Sequence, residues 1–455
     1  MKLVRALRLT QTAITAFVGG GGKTSALFLA ARESAPALVS TSTHLAARQT
    51  QHAERHLVWQ PNESAPHLED IPKGGVTLVT GPYREDIARV TGLTQEQLSW
   101  LRNWATAQGV PLFLEADGSR QRPLKAPAAH EPAIPPFADV VVVTAGMKGL
   151  GKPLEETFIH RPQIFGALSG LHPGEPVNED ALIQVLKHPD GGLKNIPNHA
   201  RRVVLLNQAD TKDLQARAGK MTSPLLEAFD AVVIASVQHG VVYAAQEKVA
   251  GIVLAAGQAS RYGAPKQLLD FQGEPFVRHT AKTALSAGLS PVVVVTGAYA
   301  EQVERALQDL PVQIARNENW QEGQAASVKA GLMQALTQDS DNTSRHEIGA
   351  AIFLLADQPQ VTVPVLVALK ERHAEGLFPV VAPLIAGRRG NPVLFDRDTF
   401  PALMNLHGDT GGREVMRQFP VEYLTWHDEH LLLDVDNEDD YRNLTRNRET
   451  VERNA

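Results

Sequence analysis

Short runs of Val, Ile and Leu recur along the whole chain, separated by stretches of helix length. The first half contains "AITAFV", "ALVSTST", "GVTLVTG", "PLFLEADG", "ADVVVVTAG", "RRVVLLNQAD" and "FDAVVIASV"; the second contains "KVAGIVLAAG", "SPVVVVTG", "VQIARN", "GAAIFLLADQ", "FPVVAPLI" and "HLLLDVD". These runs do not alternate with polar residues, so both faces of each strand must be covered. Parallel strands joined by helical crossovers meet that requirement, and the chain is expected to be α/β with mostly parallel sheets. Ligands of such sheets sit beyond the carboxyl ends of the strands. There the runs carry their polar tails: the glycines after "AFV", Asp117, Asp210, the glycine after "IVLAA", Asp357 and Asp436.

At 455 residues the chain exceeds one ordinary core and is expected to form two domains, 1–246 and 247–455, with the boundary between "VVYAAQ" and the run that opens near Lys248. Lys and Arg number 44 against 50 Asp and Glu. That balance lacks the basic footprint of a nucleic-acid binder. With no cysteine in the chain, disulfides, thiolate metal sites and cysteine nucleophiles are excluded. The apolar runs have strand length, far short of a membrane span. Polar residues and glycines interrupt the N-terminal segment, so no signal peptide is expected and the protein is placed in the cytoplasm.

The stretch "LAAGQASRYGAPKQLLDF" follows a strand-like run and places Gly257, Arg261, Gly263 and Lys266 within ten residues. Small residues let backbone N–H groups approach phosphate oxygens, and the two cations neutralise a triphosphate. "LLADQP" ends another run on Asp357, and "LLLDVDNEDDY" is expected to place Asp434 and Asp436 at the end of a third. Two carboxylates facing a phosphate loop suit a magnesium ion bound to a nucleoside triphosphate. The plain alternative for Asp357 is the N-cap of the helix that follows.

This constellation resembles the nucleotidyltransferases with a Rossmann-like sheet, and most closely the molybdenum-cofactor cytidylyltransferases. The likeness continues in order through "NENWQEGQAASVKAGL", "LLADQPQV", "GRRGNPVLF", "HGDTGGR" and "DVDNEDDY" and covers nearly all of residues 248–442. It implies attack by the terminal phosphate of a molybdopterin substrate on the α-phosphate of CTP, with release of pyrophosphate. By position it implies that Leu254, Ala255, Ala256, Gly257 and Ser327 hold the nucleotide and that Arg261, Lys266 and Asp357 act in catalysis. Asp357 and Asp436 would hold Mg2+, and Asn391, Gly408, Asp409, Gly411 and Arg413 would face the pterin. Tyr262 replaces the methionine usual in this family. In the guanylyl-transferring branch a glycine tends to stand in place of Ala256, whose methyl group narrows the base pocket in favour of a pyrimidine.

The opening stretch "AFVGGGGKTSALFLAARE" is a second candidate phosphate loop. The glycine usual six residues before the lysine is Phe17 here, yet Gly19, Gly20, Gly21, Gly22, Lys23 and Thr24 stand between a strand-like run and a helical pattern. Lys23 would reach terminal phosphates, and Thr24 with Asp117 would hold a metal; Glu115 is a rival carboxylate on the same strand face. "LLNQAD" resembles the guanine-reading box of GTPases, with Asn207 tying it to the glycine loop and Asp210 reading a purine. Asp210 is equally readable as a helix cap. ATP and GTP both remain open for this domain. Lys148, Lys152, His160 and Arg161 in "GMKGLGKPLEETFIHR" suggest an anion or partner surface, or a structural role. The layout over roughly residues 12–240 is similar to the accessory proteins of selenium-dependent molybdenum hydroxylases. It implies a nucleotide-binding P-loop-like domain working in a molybdoenzyme context, with a molybdenum hydroxylase as client.

The combined expectation is a Mg-dependent cytidylyltransferase domain fused to a nucleotide-binding domain that supports cofactor maturation. The alternatives are a sugar-phosphate or guanylyl nucleotidyltransferase and a non-catalytic cofactor-binding chaperone.

Overall fold

The computed structural model describes residues 1–61, 63–66, 68, 74–258, 264–337, 347–435 and 437–444. Arg261, Gly263, Tyr262 and Asp436 lie outside them. The chain divides into two compact units, Met1–Gln246 and Glu247–Ala455.

The first unit is built on β1 (Ile14–Gly19), α1 (Lys23–Glu33), β2 (Ala37–Thr41), β3 (Arg55–Val58), β4 (Val76–Thr80), α2 (Gln95–Gln108), β5 (Leu112–Glu115), β6 (Val140–Gly146), α3 (Glu179–Lys187), β7 (Arg201–Asn207), α4 (Lys212–Leu225) and β8 (Ala231–Ser236). Its sheet runs in the order β3-β4-β2-β5-β1-β6-β7-β8, with every neighbouring pair parallel. The strand residues of β1, β2, β5, β6, β7 and β8 are almost all buried, as continuous apolar runs require. Thr94 caps α2, accepting from Gln97 N–H while the Gln97 side chain returns to Thr94 N–H. This reciprocal cap satisfies two orphan donors.

In the second unit the sheet contains β9 (Val241–Ala255, of which the residues from Glu247 lie in this unit), β10 (Val292–Thr296), β11 (Gln313–Arg316), β12 (Ile348–Leu355), β13 (Val380–Ile385), β14 (Val393–Asp396) and β15 (Val421–Thr425). The order is β11-β10-β9-β12-β14-β13-β15. All pairs are parallel except those made by β14, which runs antiparallel to both neighbours. The helices α5 (Phe276–Ser286), α6 (Gln324–Leu336) and α7 (Val363–Gly376) complete the layers. Alternation decides the cores: Val249, Val253, Val292, Val294, Ile352 and Leu354 enter one cluster. Their neighbours Ala250, Ile252, Val293, Val295, Ala351 and Phe353 enter another. Each fully buried aliphatic side chain contributes about 1.5–3 kcal/mol, so a run of five buried residues anchors its strand from both sides.

One expectation is corrected. "HLLLDVD" is not a strand: Glu429–Leu432 forms a 3-10 turn and Asp434 sits in irregular chain beyond it. Leu431 is buried in the core, while the backbone is held by side chains instead of a ladder. Gln358 Nε2 donates to Asp434 Oδ1 (2.5 Å) and Gln360 Nε2 to Leu433 O (2.5 Å).

Buried hydrogen-bonded carboxylates pin each unit. In the second, His373 Nε2 on α7 lies 2.6 Å from Asp396 Oδ2 at the end of β14, both with almost no exposure. In the first, Glu131 accepts from both terminal nitrogens of Arg161 (2.7 and 3.0 Å) and pairs with Lys125 (2.7 Å). Burial opposes ionisation of Glu131, but hydrogen bonds from Arg161 and Lys125 outweigh it and hold its carboxyl at about 2. Burial, followed by the charges of Arg161 and Lys125, lowers His160 to about 4. Arg161 and His160 are half-buried beside Glu131 and Lys125, and the exposed Lys152 lies over the Phe158 ring.

Two outcomes follow from these pairs. Asp396→Ala leaves the buried His373 ring nitrogen without its hydrogen-bond partner and lowers the stability of the second unit by about 1–3 kcal/mol, measured by urea denaturation. Glu131 has a depressed pKa, so its stabilisation is fully present above its ordinary value of 4.5 and is lost as pH falls toward 2. The stability difference between the wild type and Glu131→Gln therefore shrinks across that window in pH-resolved denaturation.

Candidate functional site

A cavity of about 690 Å³ opens in the second unit at the carboxyl ends of β9 and β12. Leu254, Ala255, Ala256 and Gly257 line it, together with Lys266, Ser327 and Asp357. The position follows from the topology: two adjacent parallel strands end there and their chains turn away, leaving backbone groups free to face a ligand. Among the described residues nothing in the packing requires Gly257, since a Cβ at that position would meet none of their atoms within 4 Å. It keeps the loop backbone open to the cavity. Gln267 holds the loop, its Nε2 donating to Ala255 O (3.4 Å) and Gly257 O (3.2 Å). Gly297 lets a neighbouring turn approach, because a Cβ there would lie 2.6 Å from Ala256 O and 2.9 Å from Trp320 Cβ.

Ser327 lies in the first turns of α6 and accepts from Asn317 Nδ2 (3.0 Å). The same helix start is tied to the loop expected to face the pterin. Ala325 N–H donates to Gly408 O (3.2 Å) and Gln324 N–H to Asp409 Oδ1 (3.4 Å). Gly323, at φ +106°, leaves no room for a side chain, whose Cβ would lie 2.5 Å from Gly408 O.

A second cavity of about 360 Å³ adjoins the first and shares Leu254, Gln324, Leu355 and Asp409 with it. Asn391, Gly411 and Arg413 line this chamber, with Arg389 and an apolar wall that includes Phe353 and Phe395. Burial, then the charge of Arg413, works against the Arg389 guanidinium. Of the residues expected to meet an acceptor, Asn391, Asp409, Gly411 and Arg413 converge here, and Gly408 supports them through its carbonyl.

Asp357 is not a helix cap: Thr362 occupies the N-cap position of α7. The carboxylate instead lines the first cavity with Lys266. Among the described residues no cluster of three or more His, Cys, Asp or Glu side chains converges. A metal carried by a triphosphate needs only a few hard oxygen ligands from protein, and a carboxylate at this edge fits that role.

The first glycine loop is organised differently. Gly19 N–H donates to the Asp117 carboxylate (3.0 and 3.2 Å), Gly20 N–H to Thr144 O (2.9 Å) and Gly21 N–H to Arg122 O (2.9 Å). Lys23 is buried, with Nζ bound to Glu115 Oε1 (3.1 Å) and to Asp117 O (2.5 Å) and Oδ1 (3.2 Å). Burial opposes its charge, but Glu115 and Asp117 outweigh burial and raise its pKa. Thr24 Oγ1 donates to Glu115 Oε2 (2.6 Å), so the carboxylate beside Thr24 is Glu115. β5 ends at Glu115, and Asp117 beyond it turns toward Gly19 and Lys125 (2.7 Å). Asn207 makes the expected tie, with Nδ2 donating to Gly21 O (2.8 Å). Asp210 is not a cap, since Thr211 caps α4. It pairs with Lys148 (2.6 Å).

Sequence reasoning missed Gln267, Asn317, Gly297, Trp320 and Arg389 as parts of the second-unit site. All five stand inside stretches already singled out, but their side-chain contacts and close approaches are set by the fold and not by the pattern of the stretch itself.

Comparisons with known proteins match separate parts of the chain. The family model described as MobA-like NTP transferase domain matches residues 251–424, and the model described as YqeC protein matches residues 15–163. The uncharacterized protein YqeC of Escherichia coli (strain K12) is 29% identical over 216 residues, 47% of this chain and 82% of that protein. Nicotine blue oxidoreductase of Paenarthrobacter nicotinovorans is 33% identical over 198 residues, 41% of this chain and 92% of that protein. A protein named "Probable molybdenum cofactor guanylyltransferase" from Bacillus cereus (strain Q1) is 43% identical over 65 residues, 14% of this chain and 32% of that protein. Through its second unit the chain belongs to the MobA-like NTP transferase family, and its first unit carries a YqeC domain.

Proposed function

We propose that the second unit transfers CMP from CTP to the terminal phosphate of a molybdopterin cofactor, giving the cytosine dinucleotide and pyrophosphate. The observation that carries this reading is the pair of adjoining cavities. One is lined by the glycine-loop backbone, Lys266 and Asp357, the other by Arg389, Arg413 and Asn391 against aromatic walls. The first suits a nucleoside triphosphate and the second a planar, anionic acceptor. The shared residues Leu254, Gln324, Leu355 and Asp409 mark where acceptor and α-phosphate would meet. The relative named for molybdenum cofactor guanylyl transfer supports the acceptor class.

In this mechanism an acceptor phosphate oxygen forms a bond to the α-phosphorus as the bond to the bridging oxygen of pyrophosphate breaks. In-line transfer of this kind needs positioning and charge neutralisation more than a protein nucleophile. Lys266 stabilises charge on the phosphates, and the backbone from Ala255 to Gly257 orients them. Arg389 and Arg413 hold the acceptor anion. Asp357, with the Asp436 expected from sequence, would hold Mg2+, which supplies further neutralisation of triphosphate charge when bound. Ala256, almost fully buried beside Gly297, sets a methyl group in the base region and favours a pyrimidine.

The first unit is proposed to bind a purine nucleotide and to support delivery of the product to a molybdenum hydroxylase. Joining both activities in one chain raises the effective concentration of a labile cofactor at its next step.

Anaerobic incubation of the protein with molybdopterin cofactor and each NTP, followed by mass analysis, tests the proposal. The expected product is the cytosine dinucleotide, formed from CTP at least tenfold faster than any product from GTP. Equal turnover with CTP and GTP contradicts the base assignment. Asp357→Asn is expected to reduce transfer by about 100-fold or more, and undiminished transfer in that variant contradicts the proposed chemistry.

A further inference from the structure

The backbone that carries Asp357 is fixed on both sides of that residue. Before it, Ala356 N–H donates to Leu254 O (3.1 Å), which ties the end of β12 to β9. After it, Gln358 N–H donates to Leu355 O (3.2 Å) and Val361 N–H to Gln358 O (3.3 Å), closing two short turns. Two side chains then reach out of these turns to a distant part of the chain. Gln358 Nε2 donates to Asp434 Oδ1 and Gln360 Nε2 to Leu433 O, each at 2.5 Å and across 76 and 73 residues of sequence. Both glutamines are buried, whereas Asp434 is exposed.

Each carboxamide is used only by half. Among the described residues neither Gln358 Oε1 nor Gln360 Oε1 has a hydrogen-bond partner, although both atoms are buried. A buried acceptor left unpaired costs stability, and an unbranched apolar side chain such as methionine fills similar space without that cost. The two residues therefore contribute through what their Nε2 groups hold. The segment they hold also backs another wall of the nucleotide cavity. Val435 packs with Phe271 and Phe276, and Tyr441 Oη donates to Asp270 O (2.9 Å). Leu269 N–H donates to Lys266 O (3.0 Å) and Phe276 N–H to Leu269 O (2.9 Å), so the chain leaving Lys266 rests on the same residues. One segment thus braces both Lys266 and Asp357, which line the cavity together.

We infer that Gln358 and Gln360 are positioning residues for the proposed transfer: by gripping Asp434 and Leu433 they hold the Asp357 carboxylate ready for a metal-bound triphosphate. The inference rests on the reading of Asp357 as a metal ligand and goes further by naming what keeps that ligand in place. A carboxylate on a loose turn must be ordered as the metal binds, so loss of the grip appears first in metal affinity. Asp434 acts here as the anchor for Gln358.

The test uses the full chain with CTP and no acceptor, so that no transfer occurs. Electron paramagnetic resonance of Mn2+ reads the Kd of the Mn2+–CTP site that Asp357→Asn abolishes, which assigns the signal to the second unit. Gln358→Glu sets a carboxylate against Asp434 and is expected to weaken Mn2+ binding about tenfold, the usual scale for groups that orient a metal ligand. Adding Asp434→Asn gives the introduced carboxylate an amide donor and is expected to return Kd to within about threefold of wild type. Gln358→Met removes the grip and the orphan oxygen together. It is expected to weaken Mn2+ binding about tenfold with no fall in Tm, a combination that a merely structural residue does not produce. In the transfer assay the Gln358 variants raise the Mg2+ concentration for half-maximal rate by about the same factor and keep kcat at saturating Mg2+ within about threefold. Unchanged Mn2+ affinity in both Gln358 variants overturns the positioning role and leaves the proposed transfer in place. So does a loss that Asp434→Asn fails to relieve, or one in Gln358→Met that follows a lowered Tm. A wild-type chain with no Mn2+–CTP site sensitive to Asp357→Asn overturns both the positioning role and the proposed chemistry beneath it.

Discussion

Parallel strands buried on both faces admit small hydroxyls but disfavour charged groups along their length, so charged functions are pushed toward the strand ends. That constraint governs both units. In the second it delivers the loop after β9 and the carboxylate after β12 to one cavity, because these strands are neighbours and point the same way. In the first it delivers the glycine loop, Glu115, Asn207 and Asp210 to a single edge. The chemistry of each unit is a consequence of which strands stand side by side.

The two glycine loops use this placement in opposite ways. Around Gly257 the loop is supported from behind by Gln267 and opens onto the cavity. At Gly19, Gly20 and Gly21 the amides are already engaged by Asp117, Thr144 and Arg122, and Lys23 is drawn into an internal cluster of carboxylates. A loop supported from behind suits a substrate that must bind, react and leave. A loop whose donors are satisfied internally exchanges one set of hydrogen bonds for another on binding, so the net gain is small and binding is coupled to local rearrangement. Such coupling suits a unit that signals or delivers more than one that turns over quickly.

Much of this was legible in the sequence for a physical reason. The runs around β9, β10 and β12 are continuous because alternate residues enter two different cores, and that pattern marks strands and their polar ends directly. The glycine stretches and Asp357 could be placed from it. Less legible were features fixed by distant partners. β14 reads like any other apolar run, yet pairs antiparallel with β12 and β13. "HLLLDVD" has strand composition, but side-chain bonds from Gln358 and Gln360 hold it as irregular chain. Asp210 reads equally as a helix cap or as a base-facing carboxylate in the sequence, and Thr211 fills the cap. Gln267 and Asn317 stand inside the quoted motifs, but their hydrogen bonds to partners ten to twelve residues away depend on how the chain folds back.

The central claim is that a cytidine nucleotide occupies the cavity at the ends of β9 and β12 while an acceptor fills its neighbour. A crystal structure of the full chain with Mg2+ and a non-hydrolysable CTP analogue tests it most directly. The account predicts phosphates against the backbone of Ala255–Gly257 and Lys266, with the cytosine beside Ala256 and the α-phosphate turned toward Asp409. Density for the analogue in the chamber of Arg389 and Arg413, or away from both cavities, would contradict it.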